Sequence, residues 1–139
     1  MSKTDSKLIK ATSCIIKNRD GKVLIVKRTP VEIGKDETRL TWVFPGGEVF
    51  AGETLEEAAK RDVLDETGFS IKVNKQISER DHPQFPAHIH YFACEILPEK
   101  VRPAWKLHEI ESSKWVNPED LKNYITSDLD PLVAKYLGL

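Results

Sequence analysis

The sequence predicts a single domain of the mixed α/β class. Stretches rich in branched and aromatic residues are separated by one strongly amphipathic helix, and a shorter helix follows near the end. The 139 residues are 40% hydrophobic and 31% charged, which suits one core and one domain over residues 1–139. The net charge of −1 gives no broad attraction for nucleic acid or an anionic membrane, so we expect neither as a partner.

A hairpin is predicted near the N-terminus. Residues 11–17 and 22–27 are rich in branched side chains, and residues 18–21 between them have the composition of a turn. Arg28 ends the second of these strands, where a solvated side chain is the ordinary interpretation.

A polar loop and a third strand come next. Residues 29–39 show no clear periodicity, which predicts a long loop that forms one wall of a substrate cleft. Residues 40–44 resume as a strand, in which alternation places Trp42 and Phe44 on the same side. Each of these aromatic residues either belongs to the core or stacks on a base.

The glycine pair Gly46-Gly47 precedes a helix whose two ends are marked in the sequence. Thr54 and Glu57 have the spacing of a capping box at its start, and Gly68 is suited to a left-handed stop. At about 100° per residue the helix has one apolar stripe. The stripe contains Leu55, Ala58, Ala59 and Val63.

Three acidic residues share this apolar stripe. Asp62 and Glu66 lie one turn apart in its middle, Asp65 lies at its edge, and no basic residue is on the stripe. Buried carboxylates are costly unless positive charge meets them. Oxygen ligands suit a hard cation, so the pattern predicts a site for magnesium, manganese or calcium.

Two further strands are predicted beyond the helix. Residues 70–78 alternate apolar and polar side chains, and residues 88–96 form the next strand. Residues 79–87 between them are predicted to form a surface loop on the far side of the cleft, with charged residues that either contact substrate or are solvated. His88 and His90 share one face of it, either as lining of a nucleotide cleft or as ordinary strand polarity. A zinc site is disfavoured, because the further ligands considered are only Cys94, His82 and His108.

The C-terminal part is predicted to contain a loop and two helices. Residues 97–107 are assigned to a loop, Asn117 and Pro118 begin a helix, and a last helix lies within residues 131–137. Cys14 and Cys94 are interpreted as small core residues. Two cysteines make no disulfide framework and no apolar leader is evident, so a cytoplasmic location is expected. The oligomeric state is left open.

The segment from Gly46 to Phe69 resembles the signature of the Nudix hydrolases. That signature runs Gly, five residues, Glu, seven residues, Arg-Glu, an aliphatic residue, any residue, Glu-Glu, any residue, Gly, and an aliphatic or aromatic residue. The residues that match in register are Gly47, Glu53, Arg61, Val63, Glu66, Gly68 and Phe69. Asp62 and Asp65 stand where the family usually has glutamate.

The resemblance implies a fold and a chemistry. The fold is an α/β/α sandwich around a mixed β-sheet. The activity is Mg²⁺-dependent hydrolysis, with Mn²⁺ as a possible substitute, of the phosphoanhydride bond in a nucleoside diphosphate linked to another group. A nucleotide or nucleotide derivative is therefore the expected partner.

The resemblance also assigns roles to individual residues. Asp62 and Glu66 are the expected catalytic acids, and Arg61 and Glu53 pair to hold the loop on the helix. The expected metal ligands are the Gly46 carbonyl, Asp62, Asp65 and Glu66, completed by Glu109 or Glu111. The resemblance also makes Arg28 an expected substrate-binding residue, and Trp42 and Phe44 join it as candidates because either aromatic ring could stack on a base.

The two aspartates leave a second hypothesis open. Each is one carbon shorter than glutamate, so its carboxylate retreats by roughly 1.5 Å, whereas Mg²⁺ accepts oxygen only near about 2.0–2.1 Å. The alternative is a catalytically weak or inactive Nudix-like module that binds a nucleotide without turning it over.

Overall fold

The computed structural model describes residues 8–37, 39–100 and 110–139. These contain seven strands, two α-helices and one 3₁₀ helix. In chain order they are β1 (Ile9–Lys17), β2 (Val23–Ile33), β3 (Arg39–Val43), β4 (Gly46–Glu48), α1 (Leu55–Thr67), β5 (Phe69–Asp81), β6 (Ala87–Lys100), β7 (Ile110–Val116), the 3₁₀ helix (Pro118–Asn123) and α2 (Pro131–Tyr136).

One mixed sheet joins all seven strands. The order β3-β2-β1-β6-β5 forms its main path, with β4 paired to β1 and β7 paired to β2. β1 and β6 run parallel from the pair Ile9 and Ala87 to the pair Lys17 and Glu95, and the other pairings are antiparallel. The mixed sheet predicted from the sequence is therefore confirmed.

The sheet has a helical layer on each face. Ile15 and Ile16 are consecutive and fully buried, yet they belong to different cores because strand side chains alternate. The core beneath α1 consists of Cys14, Ile16, Leu24, Ala59, Val63, Ile71, Phe92 and Cys94. The core beneath α2 and the 3₁₀ helix consists of Ile15, Val23, Ile25, Phe44, Tyr91, Val116, Leu121, Val133 and Leu137. This arrangement is the expected α/β/α sandwich.

The two cysteines lie in the core beneath α1. Cys14 is fully buried and Cys94 is 3% exposed. A hydrogen bond with Cys94 and burial both raise the pKa of Cys14 well above its ordinary value. Both thiols are therefore core groups, as the sequence indicated, because a neutral buried thiol is a poor nucleophile.

A buried carboxylate joins α2 to β5. Asp130 is 3% exposed and accepts hydrogen bonds from the amides of Leu132 and Val133 at the start of α2. Its other oxygen lies 3.1 Å from Ser78 Oγ and 3.3 Å from Arg80 Nε, both on β5. One buried carboxylate therefore caps the last helix and fastens it to the sheet.

Two predicted loops are shorter than the sequence indicated. β2 continues to Ile33 and pairs with β3 after a register shift between Lys27 and Glu32. Pro30 falls within this shift, and an irregularity of this kind admits a residue that cannot donate to the ladder. The loop predicted for residues 29–39 is therefore wrong for residues 29–33 and 39, and residues 34–37 form the connection.

The first three residues of the loop predicted for residues 79–87 also belong to a strand. β5 continues to Asp81, which pairs with His88, and three register shifts along β5 and β6 obscure the alternation in the sequence. β6 continues to Lys100, so the third predicted loop is wrong for residues 97–100, and its residues 101–107 lie outside the described residues. The helix predicted at Pro118 is present as a 3₁₀ helix.

We predict that the core of this sandwich is sensitive to small losses of volume. Ile15→Ala should lower the free energy of unfolding by about 2–5 kcal/mol, because Ile15 is fully buried. Ile33→Ala is the matched control on another strand, and its 54% exposure predicts a change within about 0.5 kcal/mol. Urea unfolding of both variants measures the difference, and equal losses would contradict the assignment of the core.

Candidate active site

Helix α1 begins and ends as the sequence predicted. Thr54 Oγ1 accepts from the amide of Glu57 at 3.1 Å, and the Glu57 carboxylate accepts from the amide of Thr54 at 2.9 Å. Gly68 has a φ of 81° and donates to the carbonyl of Leu64 at 2.8 Å. The capping box and the left-handed stop fix both ends of the helix, and so fix the direction of its acidic residues.

Two of the three acidic residues predicted on the stripe face inward. Asp62 is 1% exposed and Glu66 is 6% exposed, and both line a cavity of about 480 Å³. Asp65 is half-buried and is not among the residues that line this cavity. The helical period explains the difference, because Asp62 and Glu66 share a face and Asp65 is turned about 100° from Glu66.

The glycine pair packs directly on these two carboxylates. The Gly46 amide donates to Glu66 Oε1 at 3.1 Å, and Gly46 has a φ of 150°. A Cβ on Gly46 would collide with the carbonyl of Thr12, and a Cβ on Gly47 would lie 3.2 Å from Asp62 Oδ2. Gly46 therefore allows the close approach of β4 to β1, and Gly47 leaves room for the Asp62 carboxylate.

Arg61 orients one of the acidic residues and holds the loop before α1. Its Nε and Nη2 donate to the two carboxylate oxygens of Glu53 at 2.6 and 2.9 Å, and Nη1 donates to Asp62 Oδ1 at 2.9 Å. Nη2 also donates to the carbonyl of Glu48 at 3.0 Å. The planar guanidinium therefore joins β4, the loop and the helix through several charge-assisted hydrogen bonds.

This contact corrects one expectation from the sequence. The absence of basic residues on the apolar stripe suggested that no protein cation meets the buried acids. Arg61 is adjacent to Asp62 in the chain, and its long side chain brings the guanidinium to that carboxylate. Part of the negative charge of Asp62 is therefore balanced within the protein.

The Glu53 carboxylate is strongly stabilised in its ionised form. Hydrogen bonds from Arg61 and from the Phe50 amide lower the pKa of Glu53 from 4.5 to about 2. The same partner raises the pKa of Arg61 above its ordinary value. The pair therefore keeps its charges over the whole physiological range.

The cavity has an acidic end and an apolar wall. Near Asp62 and Glu66 it is lined by Gly46, Gly47 and Glu48. Its apolar wall contains Ile9, Phe44, Phe50, Phe85, Ile89, Ile125 and Leu129. A polar rim is contributed by Arg28, Glu32, His82, Ser127, Asp128 and Asp130. This combination suits a ligand that has a charged part and a flat apolar part.

Two of the three candidate substrate-binding residues, Arg28 and Phe44, lie at the cavity. The Nη2 atom of Arg28 is 3.6 Å from Glu32 Oε1, and its buried Nε has no hydrogen-bond partner among the described residues. Trp42 is not among the lining residues and packs edge-on against Tyr124, with ring centroids 5.6 Å apart. The binding roles remain predictions for all three.

The sequence placed residues 79–87 on the far side of the cleft but did not single out the aromatic residue Phe85 among them. His82 and Phe85 lie in the short connection between β5 and β6, with ring centroids 5.2 Å apart. Phe85 is 7% exposed, and burial lowers the pKa of His82, which favours its neutral form. The aromatic content of a polar loop was the available signal, and it was overlooked because the segment was assigned to solvent.

The acid expected from outside the helix is not located. Glu109 lies outside the described residues. Glu111 belongs to β7, but its side chain lies outside the part of the chain that the structure describes. Both assignments therefore stay predictions.

The donor set around α1 fits a hard divalent cation. Asp62 and Glu66 supply carboxylate oxygens one turn apart, and the glycine pair leaves space at a place where any Cβ would press on Asp62 or on β1. Carboxylates and carbonyls are the ligands that Mg²⁺ and Mn²⁺ prefer. The shorter side chain of Asp62 is compatible with this, because β4 and its glycines pack against that carboxylate.

Comparison with known proteins identifies the class to which this site belongs. The profile of the NUDIX domain matches residues 7–136. The chain therefore belongs to the NUDIX domain family, as its resemblance to the signature implied.

Several relatives have recorded activities. The chain is 33% identical over 104 residues to a putative 8-oxo-dGTP diphosphatase of Bacillus subtilis, a match that covers 75% of this chain and 63% of the relative. It is 35% identical to the 8-oxo-dGTP diphosphatase of Haemophilus influenzae, over 61% of this chain and 59% of that protein. The matches thus span less than two thirds of these two relatives. Identity to the CTP pyrophosphohydrolase of Escherichia coli is 28% over 96% of this chain and 94% of that protein.

Solved structures agree on the fold. A NUDIX hydrolase from Nitrosomonas europaea superimposes with a TM-score of 0.72 at 19% identity, covering 95% of this chain and 87% of the other. An ADP-ribose pyrophosphatase from Streptococcus suis gives 0.69 at 18% identity, covering 95% and 91%. In the described part of this chain, no helix has the length and apolar character needed to cross a membrane.

We predict that Gly46 is needed for the shape of the site. Gly46→Ala should destabilise the protein more than Gly52→Ala, since both have positive φ but only Gly46 faces the backbone of β1. Gly52 has no atom within 4 Å of the added Cβ, so its substitution should cost only about 1–2 kcal/mol for the left-handed backbone. Denaturant unfolding measures both, and equal costs would contradict the close approach of β4 and β1.

We predict an acid-dependent contribution from Glu53. Its pKa is lowered from 4.5 to about 2, so its ionised form stabilises the fold above pH 4.5, and this stabilisation is lost as the pH falls toward about 2. The stability advantage of the wild type over Glu53→Gln should therefore shrink across that window. Thermal unfolding between pH 6 and pH 2 tests it, and a constant difference would contradict the ion pair with Arg61.

Proposed function

We propose that the protein is a phosphoanhydride hydrolase that acts on a nucleoside triphosphate or another nucleoside diphosphate derivative. The observation that carries this proposal is the pair of buried carboxylates, Asp62 and Glu66, which open into a cavity of about 480 Å³. Carboxylates at such low exposure need positive charge or hydrogen-bond donors around them, and Arg61 and the Gly46 amide supply part of this. A divalent cation is the partner that would complete the charge balance.

Mg²⁺ is the cation we propose, with Mn²⁺ as the substitute. Asp62, Glu66 and the carbonyl of Gly46 would hold it, and Asp65 together with Glu109 or Glu111 are the further candidates. When bound, such a cation neutralises phosphate charge and lowers the pKa of a coordinated water. The hydrogen bond from the Gly46 amide to Glu66 and that from Arg61 to Asp62 fix the two carboxylates before the substrate arrives.

The remaining chemistry falls to residues of the chain. A water oxygen forms a bond to phosphorus while the bond to the bridging oxygen breaks, and the leaving phosphate or nucleotide takes that electron pair. The water proton passes to a carboxylate, for which Asp62 and the acid from outside the helix are the candidates. Arg28 is the residue that we propose meets the phosphates. Its place in the cavity lining supports this, as does its buried Nε, which has no hydrogen-bond partner among the described residues.

The shape of the cavity supports a nucleotide as substrate. Phosphates would lie at the end beside α1, where the glycine pair exposes backbone, and a base would lie against the apolar wall that includes Phe44 and Phe85. The relatives named for 8-oxo-dGTP and CTP suggest these two compounds as the first substrates to try.

The proposed activity is tested by a substrate screen with Mg²⁺ or Mn²⁺. We expect turnover of at least one compound among 8-oxo-dGTP, CTP, other nucleoside triphosphates, nucleotide sugars and dinucleoside polyphosphates. Release of phosphate or pyrophosphate is the measurement, and binding is followed in parallel by calorimetry. Tight nucleotide binding with no turnover under either metal would overturn the enzyme proposal and favour the binding module.

We predict that Glu66 is required for turnover because it lies on the cavity side of α1. Glu66→Gln should lower kcat/KM by at least about a hundredfold, because it removes a charge that would hold the metal. Glu56→Gln is the matched control on the solvent face of α1, where Glu56 is exposed and pairs with Lys60 at 2.9 Å. Its kcat/KM should stay within about twofold of the wild type.

A further inference from the structure

A second group of metal-ligating side chains lies on the hairpin of β5 and β6. Glu79, His88 and His90 each place a ligand atom within 4.8 Å of the other two. His88 and His90 alternate along β6 with Ile89 and Tyr91, which line the cavity. The two imidazoles therefore project from the opposite face of the sheet, the face that carries α1.

The separations of these atoms match a tetrahedral metal site. With metal–ligand distances of about 2.0 Å, neighbouring ligand atoms around a tetrahedral zinc ion are about 3.3 Å apart. Glu79 Oε2 lies 2.8 Å from His88 Nε2 and 3.9 Å from His90 Nδ1. These two distances lie on either side of the ideal value, so shifts of about half an ångström would bring these two ligand pairs to it.

Additional side chains hold the ligands in orientation. Asp81 Oδ1 accepts from His88 Nδ1 at 2.6 Å, which leaves Nε2 directed at Glu79. A carboxylate on the far nitrogen of an imidazole is the usual support of a metal-bound histidine. Gln76 contacts the other two ligands, because its Oε1 accepts from His90 Nδ1 at 3.0 Å and its Nε2 donates to Glu79 Oε1 at 3.3 Å. Metal binding through His90 Nδ1 would displace that proton and release the Gln76 oxygen.

The ligands lie on the paired strands β5 and β6 rather than on a loop. Glu79 is opposite His90 and Asp81 is opposite His88 in the β5 and β6 ladder. The sequence disfavoured zinc because it assigned Glu79 and Asp81 to a loop and considered no carboxylate as a partner of the histidines. Strand pairing supplies the missing ligand and makes the site largely preformed.

We propose that Glu79, His88 and His90 bind a transition-metal ion of the zinc type, separate from the magnesium proposed at α1. Two imidazoles and one carboxylate prefer Zn²⁺ or Co²⁺ over Mg²⁺, which selects oxygen ligands. In the absence of the metal a proton on His88 Nε2 fills the same place between His88 and Glu79. The ion would link β5 to β6 at the base of the connection that carries His82 and Phe85 into the cavity wall.

The test is calorimetric titration of the wild-type chain with Zn²⁺ in a large excess of Mg²⁺, which occupies the carboxylates of α1. We expect one Zn²⁺ per chain. Glu79→Gln and His88→Ala should each weaken binding by more than about a hundredfold, and Asp81→Asn by about 10–100-fold, because Asp81 only orients His88. Glu95→Gln is the matched control, since Glu95 is exposed on β6 away from the group.

Two further measurements make the outcome decisive. Bound Co²⁺ should give the absorption of a tetrahedral site without a thiolate charge-transfer band, and Glu66→Gln should bind Zn²⁺ as the wild type does. The proposal is overturned by no Zn²⁺ binding in excess Mg²⁺, by unchanged affinity in Glu79→Gln and His88→Ala, by a thiolate band, or by dependence on Glu66. Since none of these readouts uses turnover, failure of this site and failure of the hydrolase proposal are distinguishable.

Discussion

The structure depends on accommodating two carboxylates on the buried side of a helix. Burial of Asp62 and Glu66 opposes folding, and every nearby feature offsets that cost. Arg61 donates to Asp62, the Gly46 amide donates to Glu66, and Glu53 keeps the guanidinium in place. The glycines of β4 serve the same arrangement, since a Cβ on Gly46 would collide with β1 and a Cβ on Gly47 would crowd the Asp62 carboxylate. The signature residues thus form one connected set of contacts.

Local signals in the sequence predicted the central part of this arrangement. The capping box, the terminal glycine and the helical period located α1 and the inward direction of Asp62 and Glu66, because these depend on residues close in the chain. The contact of Arg61 with Asp62 was not predicted, since the period of a helix describes where a side chain starts and not how far it reaches. The placement of Asp65 off the cavity follows from the same geometry.

Features that depend on strand pairing were predicted less well. The irregularity in β2 around Pro30 and the register shifts in β5 break the alternation on which strand prediction rests, so strand ends were read as loops. These errors affected the prediction of function as well as that of structure. The carboxylates of Glu79 and Asp81 meet His88 only across the ladder, and no spacing along the sequence brings them together.

The Asp130 carboxylate has a consequence for how the protein unfolds. It caps α2, binds Ser78 and Arg80 on β5, and borders the cavity. Separation of α2 from the sheet would therefore remove part of the cavity rim, so fraying of the C-terminal helix and loss of the ligand pocket belong to one cooperative opening. A ligand in the cavity then stabilises the closed state against that opening. Slower amide hydrogen exchange in α2, which lies on the opposite face of the sheet from α1, therefore reports that the cavity is occupied.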